Sequence, residues 1–300
     1  MIMTGFVYMP SLSSVQTASP KGAPFVLSKL GLLERTTFSE VFIDAGEGLA
    51  TNLALADEAL RRTHALKVVV SVPLSEAEPF RVAEHIARLD DEGDGRISVH
   101  LDLGRPDGEE ALSHAAALRR ADEFAVLIKR LWTNDAPVTF EGVFFRCDGA
   151  LVKRKGPQGA SVPIWTSGIS GSVAQFAGRH AHAVRLLPGS PEEVALQIDR
   201  VAAAAVQFGR SQPQRFVLPI GGNEAEPSLE ALETPTEAGA LGALLGRYVA
   251  SGVTDFAVHG LDGHTAIASF SLLAAPVIRR LTRDPEVWFA RSTPIGPTAS

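Results

Sequence analysis

Ionisable side chains alternate with apolar ones in one short segment of the chain. Over residues 97–103 the apolar members are Ile97, Val99, Leu101 and Leu103, and the polar members are Ser98, His100 and Asp102. Successive side chains of a strand point to opposite faces, so the polar members share one face. An imidazole and a carboxylate in a cleft have protonation states that depend on their surroundings. The pattern indicates acid–base or ligand-binding chemistry, with His100 as the candidate catalytic residue and Asp102 beside it.

A turn of small residues is the second candidate site. Residues 166–172 read TSGISGS and precede a segment of helical pattern. The first amides of a helix are unpaired and attract anions, and glycine lets the backbone approach a ligand closely. The turn therefore predicts a phosphate site made by Ser167, Gly168, Ser170, Gly171 and Ser172. The same residues are also typical of a simple helix cap, and the local sequence leaves both interpretations open.

The elements that position these residues alternate regularly along the chain. Strands are predicted at residues 5–9, 40–44, 66–72, 97–103, 163–167, 183–187, 215–220 and 255–259. Helices are predicted at residues 24–35, 48–62, 76–90, 108–132, 171–180, 191–208, 239–251 and 264–281. This alternation predicts an α/β fold of the (β/α)8 TIM-barrel type, in a single domain over residues 1–300. The alternative is an open doubly wound sheet, but no Gly-x-Gly-x-x-Gly turn follows the first strand.

Three more ionisable residues lie on even-numbered predicted strands: Asp44, Arg185 and His259. Alternate strands contribute to the same layer of a barrel interior, so these residues are expected near His100 and Asp102. Two interpretations are open for Arg185. It either neutralises Asp102 or Asp44 as a structural ion pair, or it faces a cavity and binds a ligand.

Two segments interrupt the alternation. Residues 138–146, with Gly142 at the centre, predict a small hairpin or flap before the fifth strand. Residues 221–236, rich in Glu, Pro and Ser, predict a loop after the seventh strand. Either segment is long enough to serve as a lid, although not as a large one, and a plain surface loop is the alternative interpretation.

Composition excludes several classes of function. The 34 acidic and 28 basic side chains give a formal net charge of −6, which does not attract nucleic acid or an anionic membrane surface. The single cysteine, Cys147, cannot form an internal disulfide, and no long apolar run suggests a membrane span. No spacing of His, Cys and acidic residues indicates a metal site. We expect a cytoplasmic protein.

The stretch from Arg120 to Arg185 resembles luciferase-like flavin-dependent monooxygenases, including their alkanesulfonate branch. The shared phrases are Arg120 with residues 122–124, Leu131 with Trp132, VTFEGVFF at 138–145, VPIW at 162–165, the turn at 166–172, and AGR at 177–179. Their order and spacing are specific. Weaker similarity extends over nearly the whole predicted barrel.

This resemblance implies an oxidoreductase that binds reduced FMN, or a deazaflavin, and oxidises a small organic substrate. A separate flavin reductase would supply the reduced cofactor, and the chain would form a homodimer or a heterodimer with a paralogue. The resemblance also implies that Gly168, Ser170, Gly171 and Ser172 hold the flavin phosphate. His100 falls where related proteins place a polar residue close to the flavin.

Several positions depart from the family pattern. The alkanesulfonate branch ends its seventh strand with an arginine and a histidine, whereas this chain has Pro219 and Gly221. Leu187 stands at a position of the sixth strand that is aromatic in that branch. Two functions therefore remain open: an FMN-linked monooxygenase, or a non-catalytic flavin-binding or accessory subunit. The sequence does not identify the substrate.

Overall fold

The computed structural model describes residues 5–10, 22–103, 114–168, 171–221, 229, 234–261 and 263–277. Its strands are β1 (Gly5–Tyr8), β2 (Glu40–Ile43), β3 (Lys67–Pro73), β4 (Ile97–Asp102), β5 (Val138–Glu141), β6 (Arg146–Ala150), β7 (Ile164–Ser167), β8 (Ala183–Arg185), β9 (Arg215–Ile220) and β10 (Asp255–Val258). Its helices are α1 (Gly22–Leu33), α2 (Leu49–Arg62), α3 (Pro79–Glu92), α4 (His114–Thr133), α5 (Gly171–His180), α6 (Pro191–Gln207), α7 (Pro235–Ala250) and α8 (His264–Ser269), and α8 continues into a π-helical turn (Phe270–Ala274).

Eight of these strands close into a parallel barrel. The order around the barrel is β1-β10-β9-β8-β7-β4-β3-β2, and each neighbouring pair is parallel. The prediction of a TIM barrel is confirmed, and the open sheet is excluded. Side chains alternate between two buried clusters because both faces of each strand are covered. One cluster lies under the helices and includes Val68 and Val70, whereas Val7, Phe42 and Trp165 fill the barrel lumen.

The element bounds follow the predicted ones closely, although α1 and α7 begin earlier than expected. Helix α6 has the expected capping box, in which Ser190 and Glu193 each accept a hydrogen bond from the other's backbone N–H. Helix α7 begins at Pro235 rather than at residue 239, because Thr234 and Glu237 form a second capping box there. Of the helices predicted at 108–132 and 264–281, residues 108–113 and 278–281 lie outside the described part of the chain.

The predicted flap is an antiparallel hairpin of β5 and β6. The Glu123 carboxylate of α4 accepts hydrogen bonds from the backbone N–H groups of Val143 (2.9 Å) and Phe144 (2.8 Å) at its tip. Phe145 packs edge-on to Phe124 of the same helix. These contacts fix the hairpin to α4. Most of the predicted loop at residues 221–236 lies outside the described residues.

Candidate functional site

The polar stripe of β4 lines the lumen towards the carboxyl ends of the strands. His100 is in register with Ser71 of β3 and Trp165 of β7. Its ring lies edge-on to Phe42, with a centroid distance of 5.1 Å. Ile97, Val99 and Leu101 belong to the cluster under the helices. The predicted inward orientation of His100 is therefore confirmed.

Both ring nitrogens of His100 have a serine hydroxyl as partner. Nε2 lies 2.6 Å from Ser167 Oγ, and Nδ1 lies 3.3 Å from Ser71 Oγ. Burial holds the pKa of His100 well below its ordinary value, and the charge of Arg185 lowers it further. A neutral imidazole has one donor and one acceptor nitrogen, so one serine donates to the ring and the other accepts from it.

Arg185 brings the predicted neighbours together at the mouth of the barrel. Its guanidinium carbon lies 5.4 Å from the centre of the Phe42 ring. Burial lowers the pKa of Arg185, and the charges of Asp102 and Asp44 act in the opposite direction. Burial, together with the charge of Arg185, lowers the pKa of His259 to about 4. Arg185 thus lies beside Phe42, which contacts His100, and its charge acts on the rings of His100 and His259.

The ion-pair interpretation of Arg185 is not supported. Asp102 and Asp44 influence Arg185 electrostatically, but neither carboxylate lies within ion-pair distance of a guanidinium nitrogen. Asp44 instead accepts a hydrogen bond from the backbone N–H of Gly46 at 3.3 Å. Within the part of the chain that the structure describes, no hydrogen-bond acceptor contacts the guanidinium of Arg185.

The small-residue turn joins β7 to the first turn of α5. Gly168 has a φ of +91°, which favours glycine, and its N–H donates to the Arg185 carbonyl at 3.4 Å. A Cβ added at Gly171, the first residue of α5, would meet nothing within 4 Å. Gly171 and Ser172 are exposed. Ser170 lies outside the described residues, so its expected role stays a prediction.

These features fit an anionic cofactor. The first N–H groups of a helix are not paired within it, and here they border open space at Gly171. Next to this turn lie a buried neutral imidazole and a guanidinium. Ser167 on β7 and Arg185 on β8 are paired in register, and they connect the turn with the polar residues of the barrel mouth.

Across the described residues, no group of three or more His, Cys, Asp or Glu side chains is arranged to hold a metal ion. Nor is any described helix both long and apolar enough to cross a bilayer.

Ser71 is the site residue that sequence reasoning missed. It is fully buried, and its hydroxyl is the partner of His100 Nδ1. The only signal is one polar residue inside the run KVVVSVP of β3. Strands of a parallel sheet are apolar on both faces. A single serine in such a strand therefore does not indicate by itself whether its side chain points to the lumen or to the helices.

The opposite end of the lumen holds an ion cluster that was also missed. Arg215 contacts Glu40 at 2.7 Å and Asp255 at 2.8 Å, and both carboxylates are buried. Burial alone would lower the pKa of Arg215. The hydrogen bond to Asp255 and the charge of Glu40 outweigh burial and raise this pKa above its ordinary value. The guanidinium carbon also lies 5.2 Å from the centre of the Trp165 ring. The lumen beneath His100 is therefore packed, and ligand chemistry is left to the mouth.

Comparison with known proteins places these features in a family context. A family model described as luciferase-like monooxygenase matches residues 7–231. The FMNH(2)-dependent dimethylsulfone monooxygenase of Pseudomonas putida is 28% identical over 193 residues, which cover 60% of this chain and 53% of that protein. The dibenzothiophene-sulfone monooxygenase of Rhodococcus erythropolis is 28% identical over 186 residues, which cover 52% of this chain and 41% of that protein. The chain thus spans about half or less of the length of these curated relatives.

Solved structures share the fold over nearly the whole chain. The long-chain alkane monooxygenase LadA superposes with a TM-score of 0.77 at 14% identity, and the match covers 98% of this chain and 97% of LadA. An F420-dependent secondary alcohol dehydrogenase in complex with an F420-acetone adduct gives a TM-score of 0.70 at 19% identity, with 92% and 99% of the two chains covered. At these identities the likeness shows the fold.

Proposed function

Because the chain belongs to the luciferase-like monooxygenases, we propose that it is an FMN-linked oxidoreductase that uses reduced flavin and oxygen to oxidise a small organic substrate. The observation that carries this proposal is the link between its two candidate sites: Ser167, at the start of the exposed turn, contacts the buried imidazole of His100. One flavin molecule has both a phosphate for the turn and a ring for the barrel mouth.

The turn would hold the flavin phosphate. Gly168 and Gly171 carry no side chain towards the approaching group, and Ser172 follows within the first turn of α5. The positive end of the helix dipole and the unpaired amides favour a doubly charged phosphate. Ser167 and Ser170 complete the set of residues that we assign to this end of the cofactor.

The mouth residues would orient the flavin ring. When bound, reduced flavin supplies the electrons for oxygen activation, which is chemistry that no side chain provides. His100 is neutral and has its two nitrogens fixed by serines, so it offers a positioned site that can hold or pass a proton at Nε2. Arg185 and Asp102 flank this position. The packed lumen below excludes water from one side of the ring.

The partners and location follow from the same chemistry. A flavin reductase would supply reduced FMN, and the protein would work in the cytoplasm as a homodimer or with a paralogue. A deazaflavin is the alternative cofactor, in keeping with the fold shared with an F420-dependent dehydrogenase. The sulfone substrates named for the curated relatives suggest organosulfur compounds as the first substrates to test.

A non-catalytic flavin-binding or accessory subunit is the second candidate. The presence of Pro219 and Gly221 at the seventh-strand end, where the alkanesulfonate branch has an arginine and a histidine, favours it. Product formed from a sulfone by the isolated protein, reduced FMN and oxygen would support the enzyme. Turnover that appears only after a paralogue is added would support the accessory subunit.

Binding of FMN tests both candidates. We would titrate the protein with FMN and with riboflavin, which differ only in the phosphate, and follow the quenching of flavin fluorescence. We expect saturable binding of FMN and binding of riboflavin that is weaker by about tenfold or more, since charge-assisted contacts to the phosphate are lost. Absence of saturable binding for oxidised and reduced FMN would refute both candidates. Equal affinity for FMN and riboflavin would refute the phosphate site alone.

A further inference from the structure

Arg185 is a cation without a counterion in direct contact. Its strand, β8, places it in the lumen above Ala183, and its guanidinium lies over the face of Phe42. Among the described residues none accepts a hydrogen bond from this guanidinium. Its nitrogens are also not among the fully buried side-chain atoms that lack a partner, so the N–H donors of this guanidinium are open to the mouth and accessible to a ligand.

The groups that face Arg185 do not supply that acceptor. His100 and His259 are neutral near pH 7, since burial and Arg185 itself lower the pKa of each ring. Asp44 and Asp102 are the charged neighbours, and both lie beyond ion-pair distance. Among the described residues that act electrostatically on this mouth, Arg185 is the cation that an anionic ligand would meet. The binding of an anion there therefore depends strongly on Arg185.

We propose that Arg185 binds a delocalised negative charge of a ligand in the barrel mouth, and that the pyrimidine edge of anionic reduced flavin is the group it receives. This inference rests on the proposed function. Fully reduced flavin carries a proton on N1 that dissociates near neutral pH, and the resulting negative charge spreads over N1 and the neighbouring carbonyl oxygen. Two coplanar acceptors match the planar fork of a guanidinium. The oxidised ring is neutral at this edge.

The same chemistry is present in a carboxylate or sulfonate group of an organic substrate. Both sources give an anion whose charge is shared by at least two acceptor atoms, which are oxygens or nitrogens. Binding measurements with separate ligands distinguish them. If Arg185 makes the protein bind reduced flavin more tightly than oxidised flavin, its ligand is the flavin edge. If a small anion binds beside oxidised FMN and needs Arg185, its ligand is the substrate.

The experiment uses Arg185→Gln, Arg185→Lys and the matched control Arg200→Gln on the intact chain. Arg200 is exposed on α6, so its replacement changes the net charge equally without touching the mouth. Dissociation constants for oxidised FMN and for anaerobically reduced FMN are measured by protein fluorescence for each variant. Methanesulfonate and benzoate are then titrated into protein saturated with oxidised FMN. Thermal unfolding of every variant confirms that it is folded.

We expect Arg185→Gln to weaken the binding of reduced FMN by about tenfold or more and that of oxidised FMN by less than about threefold. The effect of Arg185→Lys should be intermediate, because lysine keeps the positive charge but lacks the planar pair of N–H donors of a guanidinium. Loss of small-anion binding in Arg185→Gln, with the reduced-to-oxidised ratio unchanged, would assign the charge to the substrate and support the anion site. Equal weakening of all ligands, or no change in any, would overturn the role of Arg185 while the flavin function stands. Failure of the wild-type protein to bind either form of FMN would instead overturn the proposed function.

Discussion

His100 Nε2 lies 2.6 Å from the hydroxyl of Ser167, so a buried imidazole in the lumen is joined directly to the turn after β7. The register explains the contact. His100 is level with Trp165, and Ser167 is two residues further along the same lumen-facing side of β7. A substitution at Ser167 should therefore alter the position of the His100 ring, and a substitution at His100 should alter the turn.

Removal of the Ser167 hydroxyl should weaken FMN binding. Ser167→Ala leaves one nitrogen of a buried imidazole without its partner, which costs about 1 to 3 kcal/mol and frees the ring to reorient. We expect the dissociation constant of FMN to rise by roughly threefold to tenfold, measured by fluorescence titration.

Thr166→Val is the matched control for this variant. Thr166 is the preceding residue on β7 and is buried, and its hydroxyl has no hydrogen-bond partner in the described structure. Replacement by an apolar residue of the same shape should change neither FMN affinity nor stability. The role of the His100–Ser167 contact would be refuted if the two variants bound FMN equally well.

The two glycines of the turn should respond differently to alanine. Gly168 has a φ of +91°, a conformation that costs an L-residue about 1 to 2 kcal/mol. Gly171 has open space at its Cβ position. We expect Gly168→Ala to lower the melting temperature by several degrees and Gly171→Ala to leave it nearly unchanged, by thermal unfolding followed with circular dichroism. A fall of equal size in both variants would contradict the conformational argument.

Alternation along strands was sufficient to find most of the mouth. The inward orientation of His100 and Asp102 was predicted from the side of β4 on which each lies, and that side depends only on parity. Asp44, Arg185 and His259 were predicted as neighbours by a second argument, because even-numbered strands contribute to one layer of a barrel. Distances could not be predicted in this way, since they depend on the tilt and register of strands that are far apart in sequence.

Ser71 and the floor cluster show where the sequence was not sufficient. Ser71 is a small residue in an apolar run, and only its register with His100 gives it a role. Glu40, Arg215 and Asp255 are each the first residue of a strand, so a charged residue at the start of three predicted strands was a usable signal. Their pairing across the lumen could not be predicted from these positions alone, because it depends on how the strands are arranged around the closed barrel.

Stability should depend on pH through His182. Its Nδ1 accepts a hydrogen bond from the backbone N–H of Ile164 at 3.0 Å, and burial, with Arg210 and Lys129, lowers its pKa from 6.5 to about 4. Between these two values the unfolded chain binds more protons than the folded one. The contribution of neutral His182 is therefore complete above pH 6.5 and is lost as the pH falls towards 4 and below.

His182→Asn retains an acceptor and removes the titration. Between about pH 4.5 and 6, we expect the free energy of unfolding of this variant to change less with pH than that of the wild-type protein. The two slopes should differ by up to about 1.4 kcal/mol per pH unit, which is the value for one proton. Urea unfolding at a series of pH values measures the slope. The exposed His64→Asn is the control. Identical slopes for wild type and His182→Asn would show that His182 is not the titrating group.

The floor of the barrel makes the strongest prediction for stability. Arg215 is the shared partner of Glu40 and Asp255, whose carboxylates are almost completely buried. Arg215→Met removes the cation and leaves two like charges close together in the lumen, so we expect a loss of about 3 to 5 kcal/mol in urea unfolding at pH 7. Arg200→Met, on the exposed face of α6, should cost less than about 0.5 kcal/mol.

A combined variant separates charge from packing at the floor. Adding Glu40→Gln and Asp255→Asn to Arg215→Met removes the unpaired charges and should recover a large part of the loss, because neutral amides cost less to bury than carboxylates. FMN affinity should not change in any of these variants that remains folded, since the cluster lies at the other end of the lumen from His100 and Ser167. A combined variant that is less stable than Arg215→Met alone would show that the cluster acts through shape and hydrogen bonds and not through its charge balance.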